Sequence, residues 1–143
     1  MSNLTQSYGG LSNARILVVD DNHNIRKLVS NILEGVGVKS VQTCATAMEA
    51  FDELLSFPAS LIICDWNMSP VDGVTFIRMV RTSNDSPNKS VPIIMLTGHP
   101  EKELVLEARD AGADAFLAKP VSPKALLARV TALIEDSAKA AAS

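Results

Sequence analysis

Four short apolar runs in this chain each end in a chemically active polar residue. Arg15-Ile16-Leu17-Val18-Val19 leads into Asp20-Asp21, and Leu61-Ile62-Ile63-Cys64 leads into Asp65. Val91-Pro92-Ile93-Ile94-Met95-Leu96 leads into Thr97, and Ala115-Phe116-Leu117-Ala118 leads into Lys119-Pro120. Apolar runs this short, separated by helical patterns, read as buried strands of a parallel sheet. Open parallel sheets place their chemistry beyond the carboxyl ends of the strands. Three carboxylates, a hydroxyl and an ammonium are therefore expected at one spot, a set suited to a divalent cation and a phosphoryl group.

The helices between the runs are also legible. Ile25, Leu28, Val29, Ile32, Leu33 and Val36 form an apolar stripe with the helical period, with Asn22 placed to cap its start and Gly35 or Gly37 to end it. A short strand is expected at Ser40–Cys44. The next helix carries Ala47, Ala50, Phe51 and Leu54, stopped by Pro58. Asp72-Gly73 opens a helix with Phe76, Ile77 and Val80 facing in. Pro100-Glu101 opens a fourth, ending at Ala111-Gly112, and Ser122-Pro123 opens the last, with Leu126, Leu127, Val130, Leu133 and Ile134. Five strand–helix units predict a doubly wound α/β fold of three layers. The end of the second strand, Thr43-Cys44, carries nothing comparable to the other four. That fits strand order 2-1-3-4-5, with strand 2 at an edge and strands 1 and 3 meeting at the switch point.

Composition narrows the function. The 143 residues suit one domain. The net charge of −3 offers no basic footprint for nucleic acid or an anionic membrane. Cys44 and Cys64 lack metal-ligand spacing, and Cys64 sits inside a strand run, so a reducing cytoplasm is expected. Residues 1–13 are polar, without the apolar segment of a signal peptide, and no stretch is apolar for the length of a membrane span. The expected division is a flexible leader over 1–13, a domain over 14–136 and a tail over 137–143. No second domain is expected after Ile134, which fits either a stand-alone domain or one cut from a longer regulator.

Each active residue has a plain explanation when taken singly. Asp20 or Asp21 could simply cap the first helix, and Asp65 could be a loop residue. Thr97 could be an ordinary strand end and Lys119 a solvated charge. Four strands carrying such residues at the same end by chance is a poor joint explanation. Adjacent Asp20 and Asp21 repel unless a cation lies between them. Mg²⁺ takes oxygen ligands and keeps several waters, so two or three carboxylates at neighbouring strand ends suffice to hold it. Asp65 could ligate such an ion or act as a nucleophile forming an acyl phosphate. Pro120 makes Lys119 extended at the strand end, where its point charge can neutralise phosphate oxygens.

Taken together, Val18-Val19-Asp20-Asp21-Asn22, Cys64-Asp65-Trp66-Asn67-Met68, Asp72-Gly73, Leu96-Thr97-Gly98 and Phe116-Leu117-Ala118-Lys119-Pro120 resemble the receiver domain of bacterial two-component response regulators, chemotaxis regulators included. The resemblance runs from about Ala14 to Ile134. It implies a flavodoxin-like sheet of order 2-1-3-4-5. It also implies Asp65 as phosphoacceptor, with Asp21, Asp65 and the Asn67 carbonyl ligating Mg²⁺ and Asp20 assisting through water. Lys119 would pair with the phosphoryl group and Thr97 bond to it. Phe116 would move inward with Thr97, and the Lys119–Pro120 bond would be cis. Asn67 and His99 would tune hydrolysis. The implied donor is a sensor histidine kinase or phosphotransfer protein. The implied output is a protein target on the face of helix 4, strand 5 and helix 5, with homodimerisation through that face open. The protein would be no enzyme beyond its own phosphorylation and dephosphorylation. Ser69 precedes Pro70 where family loops often have Pro directly after Met, and Phe116 lacks a hydroxyl for a phenol hydrogen bond.

Three other readings remain at this point. A phosphatase with an Asp nucleophile needs Asp-x-Asp after the first strand, where this chain has Asp20-Asp21-Asn22. An interaction scaffold that is never phosphorylated would not need all five family positions. A flavin- or nucleotide-binding protein of the same topology would need a glycine-rich loop after the first strand, and none is present.

Overall fold

The computed structural model describes residues 8–98 and 102–142. The strands are β1 (Arg15–Val19), β2 (Ser40–Cys44), β3 (Leu61–Asp65), β4 (Ile93–Thr97) and β5 (Ala115–Ala118). The helices are α1 (His23–Gly35), α2 (Ala47–Glu53), α3 (Gly73–Thr82), α4 (Lys102–Ala111) and α5 (Pro123–Ala142), and a 3₁₀ turn covers Gly9–Leu11. The sheet is parallel and its order is β2-β1-β3-β4-β5, the order that the bare end of the second strand fits and the family resemblance implies.

Strand alternation divides the core in two. Leu17, Val19, Ile62, Cys64, Ile93 and Met95 face α2, α3 and α4, where Ala50, Phe76, Ile77 and Ala108 meet them. Ile16, Val18, Leu61, Ile63, Ile94 and Leu96 face α1 and α5, against Val29, Leu33, Leu126 and Val130. β3 and β4 are buried along their whole length because helices cover both faces, which is why they read as unbroken apolar runs. β2 is an edge strand and mostly exposed or half-buried, which explains its mixed sequence.

Several details depart from expectation. Leu28 is 40% exposed, on the flank of the α1 stripe, while Val29 and Leu33 at its centre are fully buried. α2 ends at Glu53, well before Pro58; turns through Leu54–Phe57 bridge the gap. Residues 8–13 are not a free leader. Leu11 is 2% exposed and belongs to the core on the α1/α5 side, with Tyr8 packed beside it. α5 continues without a break through 137–142, the stretch assigned to a tail. Pro100-Glu101, the expected start of α4, lies outside the described residues; α4 is described from Lys102. No helix among the described residues is long and apolar enough to cross a membrane.

Two contacts brace the loops at opposite ends of the sheet. At the amino-terminal end, Arg81 of α3 donates to the carbonyls of Gly112, Lys89 and Val91 and pairs with Asp114 at 3.0 Å, while Asp114 accepts the Ile93 N–H. At the carboxyl end, Gly73 opens α3 directly against β3. Its N–H donates to the Trp66 carbonyl at 2.8 Å. A Cβ on Gly73 would collide with the Asp65 carbonyl oxygen and come within 2.9 Å of Met95 Cε. Backbone atoms cannot step aside as a flexible side chain can. Gly73→Ala should therefore destabilise the fold by about 1–3 kcal/mol in a denaturant melt, although alanine is the better helix former.

Candidate functional site

The strand ends converge as their sequence positions predict. Asp20 is fully buried, Asp65 is 3% exposed and Thr97 2% exposed, whereas Asp21 faces solvent. One carboxylate oxygen from each of Asp20, Asp21 and Asp65 lies within 4.8 Å of the others. Lys119 Nζ bridges the two buried members, 2.8 Å from Asp65 Oδ1 and 3.1 Å from Asp20 Oδ2. Lys119 reaches them because β5 ends at Ala118, and its own N–H donates to the Thr97 carbonyl at 2.8 Å. The Lys119–Pro120 bond is cis, as the resemblance implies; Ser69–Pro70 is cis as well, which no sequence signal anticipates.

The acidic turn between β1 and α1 is held by its own backbone and by Arg26. The Asp20 N–H donates to the Cys44 carbonyl at 3.1 Å, and Asp20 Oδ1 accepts the Asn22 N–H at 2.8 Å. Asn22 caps α1 by accepting from the N–H groups of Asn24 and Ile25. Arg26 Nη1 donates to the Asp20 carbonyl at 2.7 Å. Sequence reasoning passes over Arg26. Its only signal is a cation four residues beyond the helix cap, and most such residues are simply solvated.

Burial is the main cause that raises the Asp65 carboxyl above its ordinary value; Asp20 and Asp21 add to the rise, and the Lys119 ammonium opposes it. Burial would lower Lys119, but its close contacts with Asp65 and Asp20 prevail and raise it. Lys119 is a cation at any ordinary pH. Burial also pushes the Cys44 thiol to about 11 and the Cys64 thiol well above its usual value, so neither is a ready nucleophile.

The donor set fits Mg²⁺. Three carboxylates and one ammonium leave a local charge of −2, and every available donor is a hard oxygen. Among the described residues, the buried Asp20 Oδ2 has no hydrogen-bond partner, and the Lys119 ammonium at 3.1 Å is its one counter-charge. A divalent cation would complete that compensation.

The remaining predicted residues are distributed as follows. Asn67 is exposed on the loop two residues beyond Asp65, and Trp66 between them is 8% exposed. Phe116 is half-buried and packs against the core on the α2–α4 side. His99 lies outside the described residues.

Comparison with known proteins agrees with this arrangement. The family model of the response regulator receiver domain matches residues 16–131. Chemotaxis protein CheY1 of Helicobacter pylori is 34% identical over 113 residues, which is 78% of this chain and 90% of that protein. A CheY-like receiver domain protein from Methanospirillum hungatei superposes with a TM-score of 0.81 at 29% identity, covering 90% of this chain and 98% of the other. The BeF3-activated DrrB receiver domain gives a TM-score of 0.73 at 32% identity, over 85% and 97% of the two chains. A family match across most of the length, on a sheet of this order, establishes that the chain belongs to the response regulator receiver domain family, in its chemotaxis-regulator-like form.

Proposed function

We propose that this receiver accepts a phosphoryl group on Asp65, with Mg²⁺ held by Asp21, Asp65 and the Asn67 carbonyl, and that the acyl phosphate resets a protein-binding face. The observation that carries this reading is the buried Asp65 carboxylate, 2.8 Å from Lys119 Nζ inside a cluster of three carboxylates. The donor is a phosphohistidine on a sensor kinase or phosphotransfer protein, in the cytoplasm, where the free thiols of Cys44 and Cys64 stay reduced.

The chemistry follows from the groups present. An Asp65 carboxylate oxygen attacks phosphorus in line; the P–N bond to the donor imidazole breaks as the P–O bond forms, and the imidazole leaves with the electron pair. The transition state is loose, with its charge on the equatorial oxygens. Lys119 stands at the rim, its side chain 23% exposed, and passes from Asp65 to those oxygens as the carboxylate is consumed. Bound Mg²⁺ supplies a second positive centre for the same oxygens. Thr97, at the end of β4, is proposed to bond to the phosphoryl group. Lys119 N–H to Thr97 carbonyl joins the two residues through the backbone, so a shift at Thr97 is transmitted to β5 and Phe116. The phosphoryl group biases the domain only through contacts that differ between two conformations. The face of α4, β5 and α5 is the expected readout, toward a downstream protein or a second copy. Asn67, exposed beside the site, and His99 are proposed to govern water access during hydrolysis of the acyl phosphate.

Labelling with acetyl phosphate tests the central claim. The native protein should incorporate one phosphoryl group in Mg²⁺, Asp65→Asn none, and Lys119→Met should be slower by roughly 100-fold. Lack of labelling in the native protein from either acetyl phosphate or a kinase panel would instead favour the scaffold reading. Trp66 offers an optical test. Mg²⁺ should change its fluorescence and beryllofluoride should change it further, with the second response lost in Asp65→Asn.

The Asp65 shift gives a pH prediction with a definite sign. A carboxyl whose pKa is raised on folding binds its proton more tightly in the folded state. Its contribution to stability is present at low pH and lost as pH rises through the folded value. In metal-free protein, Asp65→Asn should therefore melt a few degrees above the native chain at pH 7, and the gap should close as pH falls toward 4. Ten times its dissociation constant of Mg²⁺ should stabilise the native chain by about 1.4 kcal/mol.

A further inference from the structure

We propose that Arg26 is a positioning residue for the metal site, acting through the peptide that joins Asp20 to Asp21; the inference rests on the Mg²⁺ reading above. Each acidic residue of the turn is restrained differently. The Asp20 side chain is fixed by the Asn22 N–H at 2.8 Å and by Lys119, and its N–H by the Cys44 carbonyl. Asn22 is fixed by its cap on α1. Asp21 lies between them with an exposed side chain. The Asp20 carbonyl belongs to the peptide plane that leads into Asp21, and its partner is the Arg26 guanidinium at 2.7 Å, in a partly buried contact. A charged donor on a carbonyl makes a strong, directional hydrogen bond. Rotation of that plane would swing Asp21 away from Asp20 and Asp65, with which it now shares a 4.8 Å cluster. α1 thus reaches back past its own start to hold the plane from which Asp21, the exposed carboxylate of the cluster, projects.

Position and charge predict opposite outcomes here. A cation beside a divalent-metal site repels the metal, so its removal on charge alone would tighten binding. Residues that orient a ligand have the reverse effect, since their loss costs about 10-fold or more in metal affinity. Arg26→Met should weaken Mg²⁺ binding, read from Trp66 fluorescence and by calorimetry, by about 10-fold. Arg26→Lys, which keeps a donor on a shorter and less rigid arm, should recover part of the loss. In acetyl phosphate labelling, Arg26→Met should raise the Mg²⁺ concentration for half-maximal rate and leave the rate at saturating Mg²⁺ near native. In metal-free protein, the Asp21 and Asn22 amides should exchange faster in Arg26→Met while those of β3 and β4 do not. Exchange that is faster everywhere would show a general loss of fold and overturn the positioning role. Unchanged or tighter Mg²⁺ binding in Arg26→Met would overturn it too. If the native chain binds no Mg²⁺, the metal reading itself fails, a result distinct from either of those.

Discussion

Three carboxylates crowded at the end of a parallel sheet repel one another, and the rest of the site answers that repulsion. Two of them are buried, where water cannot screen them, and one ammonium from the residue just after β5 lies between them. An ion pair this deep contributes little net stability, because desolvation offsets most of the attraction. Its value is chemical. The Asp65 carboxylate is left with incomplete compensation and a raised pKa, which is what the proposed function requires of it. A cluster adapted to stability would have exchanged one carboxylate for an amide.

Such a cluster survives only on a scaffold stiff enough to oppose it. β1 and β3 are adjacent and in register, with Val19 paired to Cys64, so Asp20 and Asp65 leave the sheet side by side. Both strands are buried through apolar packing on two faces, which opposes relaxation of the pair. The loops are tied separately. Asn22 and Arg26 hold the acidic turn, and Gly73 lets α3 start against the β3 backbone. Cys64 lies beneath Asp65, its Sγ 3.2 Å from the Asp65 carbonyl, and stays a neutral thiol because burial and the nearby carboxylates disfavour its anion. The site is therefore built on rigid elements, with its variable contacts on the loops above them.

The same construction leaves one edge of the site freer to move than the other. Thr97 ends β4 and Lys119 directly follows the neighbouring β5, the two joined by a backbone hydrogen bond, while Phe116 sits half-buried two residues before the end of β5. β5 is an edge strand, less buried than β3 or β4, so it can adjust without rupturing the core. Arg81 and Asp114 anchor the opposite end of that region, where the turn after α4 meets β4. A shift near Asp65 would then be taken up at the carboxyl end of β4 and β5, with their amino-terminal ends held.

Strand positions, helix faces, fold class and the convergence of Asp20, Asp21, Asp65 and Lys119 were legible in the chain itself. Burial on both faces demands continuous apolar runs such as Leu61–Cys64, and the side chains that follow them have one place to go. The strand order came partly from the family resemblance; the residues themselves marked only β2, which ends without a polar group of this kind, as an edge strand. What the sequence left undecided depends on contacts between residues far apart in the chain. Leu11 looked like part of a polar leader, yet it fills a gap beside α5 that exists only once the sheet is covered. Arg26 and Gly73 look like an ordinary surface cation and a helix start until the fold brings a carbonyl within reach of each. Local patterning determines which faces are apolar, because its period is set by the backbone. Which carbonyl a guanidinium meets, and where a Cβ has no room, was decided by tertiary packing alone.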